Sequence, residues 1–229
     1  MTIRSIFFDL DNTLLDRDAA WRTYWSEFIR QQPEVFDPDL EAALGRIIHE
    51  DQHGWTSRPD LFSWMVKTFP KLNRSPKELW EQCGKELGKI AAPYPGTTEL
   101  LASLKSAYSL VLVTNGPSSV QRMKLLNSGF SAYFDHVFVS GEVGFDKPDP
   151  RIFATAIKSA DCSPGQIVFV GDDPVKDVLG AANAGLKTCW ISHGSEWTGN
   201  QLLPDHVISK VSELPSILKT PVLSKSCAI

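Results

Sequence analysis

"SIFFDLDNTLLD", residues 5–16, runs three apolar residues (Ile6, Phe7, Phe8) straight into Asp9, with a second carboxylate, Asp11, two positions later. Two like charges at the end of a buried run are costly unless something offsets them. A short continuous apolar run reads as a strand buried on both faces, as in a parallel sheet under helices. Four similar runs follow: "SLVLVTN" (109–115), "HVFVS" (136–140), "QIVFVG" (166–171) and "KTCWIS" (187–192). Helical patterns fall between them at 97–107, 117–128, 150–160 and 174–184. The alternation predicts an α/β fold with a doubly wound parallel sheet, Rossmann-like in layout.

The alternation fails between residues 17 and 94. That stretch offers no strand, but it offers helix starts. "SPKE" (75–78) places an N-cap Ser, Pro at the first helical position and a capping-box Glu. "SRPD" (57–60) opens another helix in the same way. Five of the seven tryptophans lie here (Trp21, Trp25, Trp55, Trp64, Trp80). The expectation is a helical cap domain, residues 17–94, with its own aromatic core, inserted into an α/β core made of residues 1–16 and 95–229. "APYPG" (92–96) is the return linker.

The bulk numbers exclude several classes. The 229 residues are 42% hydrophobic and 22% charged, an ordinary globular composition. A net charge of -4 gives no basic surface for a nucleic-acid polymer. No apolar run is long enough to span a membrane, and the N-terminus lacks a signal-peptide layout. Four scattered cysteines (Cys83, Cys162, Cys189, Cys227) fit a reduced, cytoplasmic chain. The terminal "SKSCAI" is not a prenylation signal, because Cys227 stands third from the end and the signal needs the fourth. Nothing in the sequence fixes the oligomeric state.

In an open α/β sheet, ligands bind beyond the carboxyl ends of the strands. The first strand leads into Asp9-Leu10-Asp11-Asn12-Thr13 and the second into Thr114-Asn115-Gly116. "GFDKPDPRIF" (144–153) sets Lys147 in a loop before a helix. The fourth strand leads into Gly171-Asp172-Asp173, with Asp177 one turn on. Mg²⁺, a hard cation that prefers oxygen ligands, would offset the clustered carboxylates.

Read together, DxDxT, strand-Thr-Asn-Gly, GxxKPxxxxF and GDDxxxxD resemble the haloacid dehalogenase superfamily, in the branch with a helical cap after the first motif. The resemblance covers roughly residues 5–192. It implies that Asp9 is the nucleophile and forms an aspartyl-phosphate. Asp11 protonates the leaving oxygen and later deprotonates water. Thr114 and the amides of Asn115 and Gly116 hold phosphoryl oxygens, and Lys147 neutralises charge. Asp9, the Asp11 carbonyl and Asp172 bind Mg²⁺. Asp173 is either a helix cap or a metal-site residue, and Asp177 acts from behind the ligands. The superfamily's dehalogenases lack the second Asp, so Asp11 favours phosphoryl transfer.

The chemistry calls for this many groups. Phosphomonoester hydrolysis can require acceleration of up to ~10²¹-fold. A general acid supplies roughly 10²–10⁴ and a charge-stabilising donor about 10²–10³. The expected activity is that of a Mg²⁺-dependent phosphatase on a small phosphorylated metabolite. A phosphomutase is the alternative, ahead of a 2-haloacid dehalogenase or a catalytically silent binding protein.

Two features of the insert need separate readings. "HEDQH" (49–53) matches the H-E-x-x-H zinc signature, but Gly54 and Pro59 cut the helix short, so it reads as a polar, solvated helix end. "GWTSRPDL" (54–61) resembles the specificity loop of mutase-like members, between the second and third cap helices. Trp55 would stack on a ring and Arg58 hold a second anion; the alternative is a core tryptophan and a solvated arginine.

Overall fold

Ile6 and Phe8 face one side of the first strand and Phe7 the other, and all three are fully buried. A strand that is apolar on both sides needs helices over both faces. The computed structural model, which describes residues 2–36, 39–199 and 202–218, supplies them. Strand β1 (Ser5–Phe8) is followed by five helices: α1 (Arg17–Arg30), α2 (Pro33–Phe36), α3 (Leu40–Asp51), α4 (Arg58–Thr68) and α5 (Pro76–Ile90). Next come α6 (Thr97–Lys105), β2 (Ser109–Thr114), α7 (Ser118–Asn127), β3 (His136–Val139), α8 (Ser140–Val143), α9 (Pro150–Ile157) and β4 (Ile167–Gly171). A π-helical turn (Pro174–Leu179) runs into α10 (Gly180–Asn183), and β5 (Lys187–Ile191), β6 (His206–Ile208) and α11 (Leu214–Leu218) complete the described chain. Cys227 lies outside the described residues.

All six strands are parallel, in the order β3-β2-β1-β4-β5-β6. Strand β1 is therefore flanked by β2 and β4. The chain crosses from one side of β1 to the other, which is the switch point where such sheets bind ligands. Residues beyond β1, β2 and β4 (Asp9, Asn115 and Asp172) are brought side by side. The fold class is the α/β parallel sheet expected. Strand β6 was not anticipated; three residues are too few for a periodic signal.

The helix-start signals act locally as read. Ser57 accepts from the Asp60 amide, and Ser75 and Glu78 form a reciprocal capping box. Trp21 and Trp25 pack edge-on with Phe62 and Phe28. This aromatic cluster is not separate, however. It is continuous with the sheet face formed by Ile6, Phe8, Leu110 and Leu112. Helices α5 and α7 meet closely, and the reason is Gly88: a Cβ there would lie 2.9 Å from Met123 Sδ.

The expected helix at 174–184 is instead a π-helical turn followed by a short α-helix. Asp177 explains the departure. Its carboxylate is drawn inward by Lys147 Nζ (2.7 Å) and by the Asp173 amide (3.1 Å). Such bulges favour functional positions.

Candidate active site

Asp9 follows β1 directly, and its backbone amide donates to Val170 O at 3.0 Å. Its carboxylate is reached by Lys147, whose Nζ donates to Asp9 Oδ1 (2.6 Å) and Asp177 Oδ1 (2.7 Å). Asn115 fixes this lysine. Its side chain donates to Lys147 O (2.9 Å) and accepts from Lys147 N (2.8 Å). Asp172 accepts weakly from Thr13 Oγ1 at 3.4 Å. Oxygens of Asp9, Asp172 and Asp177 lie within 4.8 Å of one another.

Three carboxylates, Asp9 and Asp177 buried and Asp172 half-buried, leave excess negative charge against one lysine. Burial, the largest effect, raises the Asp9 carboxyl against the pull of Lys147. Burial, with Asp177 and Asp9 nearby, raises Asp172 well above the carboxylate range. Burial pushes Asp177 up to about 7. Burial alone would lower Lys147, but Asp177 and Asp9 outweigh it and hold its ammonium firmly charged. An all-oxygen set that resists ionisation by itself fits a hard divalent cation. Asp177 stands in this oxygen cluster with Asp9 and Asp172, whereas the Asp11 carboxylate turns elsewhere.

That side chain lies against α7. Lys124 Nζ is 2.7 Å from both Asp11 oxygens, and Gln121 Nε2 donates to Asp11 Oδ2 (3.1 Å) and to Thr114 Oγ1 (2.7 Å). Burial would raise Asp11, but Lys124, Arg17 and Gln121 together bring it below its ordinary value. Thr114 and Asn115 line the catalytic cavity with Asp9, Asp11 and Lys147. Gly116 does not: its amide, expected to meet a phosphoryl oxygen, donates to Ser140 Oγ at 2.9 Å. Asp173 caps the turn that follows it, accepting from Val175 and Lys176 amides.

The zinc-like signature dissolves on folding. Helix α3 ends at Asp51, and Gln52 and His53 both take positive φ, so His49 and His53 share no helical face. The helix end is solvated at His49, Gln52 and His53 as expected, but not at Asp51, which is 1% exposed. Its carboxylate accepts two bonds from Arg17, one from Arg58 Nη1 (2.8 Å) and one from the Gly54 amide (3.0 Å). Ionised Asp51 is held below its usual range: these arginines overcome the burial that would raise it. Arg58 lines the catalytic cavity beside Arg17. Trp55 is not a core residue: it is 48% exposed, with Lys176 Nζ over its ring at 4.1 Å. With the one-turn α2 set aside, this loop does join the second and third helices of the segment.

Lys124, Gln121 and Asp51 were not singled out from sequence. Lys124 carried no signal beyond its place one turn after Gln121, facing the same side of a helix that begins at the Thr-Asn-Gly motif.

The chain matches the family of haloacid dehalogenase-like hydrolases over residues 3–185. It is 30% identical to the pyrimidine 5'-nucleotidase YjjG of Escherichia coli, over 93% of this chain and 96% of that protein. It is 39% identical to a glyceraldehyde 3-phosphate phosphatase of Methanothermobacter thermautotrophicus, over 94% and 100%. Its fold is similar to that of the magnesium-bound HAD-hydrolase YfnB of Bacillus subtilis (TM-score 0.81, 24% identity, 96% of this chain and 100% of that one). Among the described residues no helix is long and apolar enough to cross a membrane. The chain belongs to the haloacid dehalogenase-like hydrolases and is a hydrolase of phosphoric monoesters.

Proposed function

We propose that the chain is a Mg²⁺-dependent phosphatase of small phosphorylated metabolites that works through an aspartyl-phosphate on Asp9. The observation that carries this reading is Lys147 Nζ bridging Asp9 and Asp177, with Asp172 in the same oxygen cluster. Asp9, Asp172 and Asp177 would hold the cation, aided by the Asp11 carbonyl; when bound, it neutralises phosphoryl charge. Asp173 serves that cluster by capping the next turn and by donating its amide to Asp177.

In the first step an Asp9 oxygen attacks phosphorus, the ester P–O bond breaks, and the leaving alkoxide takes a proton from Asp11. In the second, Asp11 removes a proton from water, whose oxygen attacks phosphorus and frees Asp9 and inorganic phosphate. Lys124 keeps Asp11 ionised in the free protein, which is the form the second step uses. The first step draws on the conjugate acid, favoured when a phosphate dianion adds negative charge nearby. Thr114 and Asn115 stand where phosphoryl oxygens enter, and Lys147 balances charge on Asp9.

The reading divides the chain into a core, residues 1–16 and 95–229, and a cap, residues 17–94, whose loop carries Trp55 and Arg58 to the site. It places the enzyme in the cytoplasm, where Cys83, Cys162 and Cys189 remain thiols. Its substrates are small metabolites, with neither nucleic-acid polymer nor membrane as partner. The test is release of phosphate from a panel of nucleotides, sugar phosphates and aryl phosphates, with Mg²⁺ and with chelator. Turnover undiminished by chelator overturns the metal dependence, and no turnover on any ester overturns the reading.

A further inference from the structure

The catalytic cavity has a volume of about 100 Å³. Ordinary small-molecule sites measure about 300–1,000 Å³. It takes a phosphoryl group but not the alcohol attached to it, so the rest of a substrate must lie in adjoining space. A second cavity of about 570 Å³ adjoins it and shares the walls formed by Asn12, His53, Asp172 and Asp173.

We propose that this second cavity is the leaving-group subsite, and that it takes an uncharged ring bearing hydroxyl or amino donors while rejecting a second anion. The inference rests on the phosphatase reading above. Aromatic groups supply the ring contacts: Trp55, Tyr94, Trp190 and His193 all line the cavity. Two of them are tied to the loops that carry the catalytic carboxylates. Trp190 Nε1 donates to Asp172 O (2.7 Å), and His193 Nε2 donates to Asn12 O (2.6 Å). His193 holds this place with φ of 47°, uncommon for a residue with a Cβ, and its ring lies 5.2 Å from that of Tyr94.

The charge of the walls supplies selectivity. Asp16, Asp18, Asp172, Asp173 and Glu196 line the cavity, and among the described residues no lysine or arginine lines it; Arg17, paired with Asp18, and Lys176, paired with Asp173, stand outside that wall and leave Asp16, Asp172 and Glu196 without a basic partner there. A carboxylate or second phosphate on the substrate would enter a field of its own sign, whereas hydroxyl and amino hydrogens meet acceptors. The Tyr94 hydroxyl registers that field: burial, then Asp16, Asp172, Asp18 and Asp11, resist its ionisation.

The competing space is less well placed. An apolar cavity of about 470 Å³ between α4, α5 and Pro117 meets the catalytic cavity only at Arg58. That guanidinium is held by Asp51 and lies over the rings of Trp21 and Trp80, closing that side.

The test uses the full chain with Mg²⁺ and compares phenyl phosphate, 4-(hydroxymethyl)phenyl phosphate, 4-carboxyphenyl phosphate, nucleoside 5'-monophosphates and 3-phosphoglycerate. The neutral ring esters should exceed the carboxylated ones in kcat/KM by about tenfold or more. Glu196→Lys should narrow that ratio. Trp55→Ala should lower the ratio of nucleotide to phenyl phosphate, with KM rising more than kcat falls. Trp80→Ala, in the apolar cavity, should leave that ratio unchanged. A preference for carboxylated esters, or a ratio that responds to Trp80→Ala and not to Trp55→Ala, overturns the subsite alone. Absence of turnover on every ester of the panel overturns the phosphatase reading and the subsite with it.

Discussion

Lys124 Nζ stands 2.7 Å from both carboxylate oxygens of Asp11, with the lysine almost wholly buried. A symmetric contact of this kind fixes the carboxylate plane as well as its charge. The catalytic acid of the proposed mechanism is therefore positioned from α7, a helix outside the motif that contains it. Lys124→Met should strand a largely buried carboxylate and cost about 2–3 kcal/mol of stability, at the low end for a broken buried pair because Asp11 retains some solvent. Lys124→Met/Asp11→Asn should recover much of that loss. Denaturant midpoints of the two variants check this; a double variant no more stable than the single one contradicts the pairing. Turnover of alkyl phosphates should suffer more than that of aryl phosphates, which leave without a proton.

Asp9→Asn should abolish turnover, since an amide is not a nucleophile, with a fall of at least about 10⁴-fold. Without metal the same variant should melt no lower than the wild type, because it removes one of three crowded carboxylates. Activity within tenfold of wild type would sink the mechanism. A large drop in melting temperature would contradict the electrostatics.

The raised carboxyls give a signed pH dependence. Asp177 titrates near 7 in the fold, against an ordinary value of 3.8, and Asp9 and Asp172 shift the same way. Their folded pKa lies above the unfolded one, so the metal-free protein should lose stability as pH rises above about 4, with the share due to Asp177 gone once pH passes about 7. Asp11 and Asp51 shift downward and act below that window. Mg²⁺ binds the ionised carboxylates, so the rise in melting temperature on adding it should be larger at pH 7.5 than at pH 5. Equal rises at the two pH values would show that the trio is not its site.

Gly171 carries no side chain because Asp177 occupies the space: a Cβ there would run into its carboxylate oxygens. Gly171→Ala should displace Asp177 from Lys147 and raise the Mg²⁺ concentration for half-maximal activity by about 10–100-fold. An unchanged Mg²⁺ requirement would separate Asp177 from the metal site.

His49→Ala/His53→Ala should keep most phenyl phosphate turnover, and metal analysis of the wild type should find no stoichiometric zinc. Stoichiometric zinc that disappears in the double variant would revive the H-E-x-x-H signature.

What the sequence made legible was whatever sits next to a strand end. Asp9, Thr114 and Asp172 each follow an apolar run, so the topology alone brings them together. Lys147 was legible from its motif. Lys124 was not, because a lysine within a helical pattern ordinarily reads as solvated, and its burial depends on α7 lying against the first loop. Asp51 was hidden inside a stronger-looking histidine pattern; only Arg17, thirty-four positions away, reveals its use. Gly116 misled for a related reason, since the partner of its amide, Ser140, comes from another element. The π-helical turn escaped because a contact with Lys147, not local propensity, sets its winding.

Asp51 ties down the Gly54 amide, Arg17 and Arg58 at once, and His53 Nδ1 adds a bond to Asp18, so the path of the 52–57 loop is set by bonds that do not involve the side chain of Trp55. Upkeep of the fold and choice of substrate are thereby assigned to different residues a few positions apart. Replacement at 55 alters what the loop presents and leaves those bonds in place. A lineage built on this arrangement can vary the group offered at position 55 by single substitutions that leave the Asp51 bonds in place.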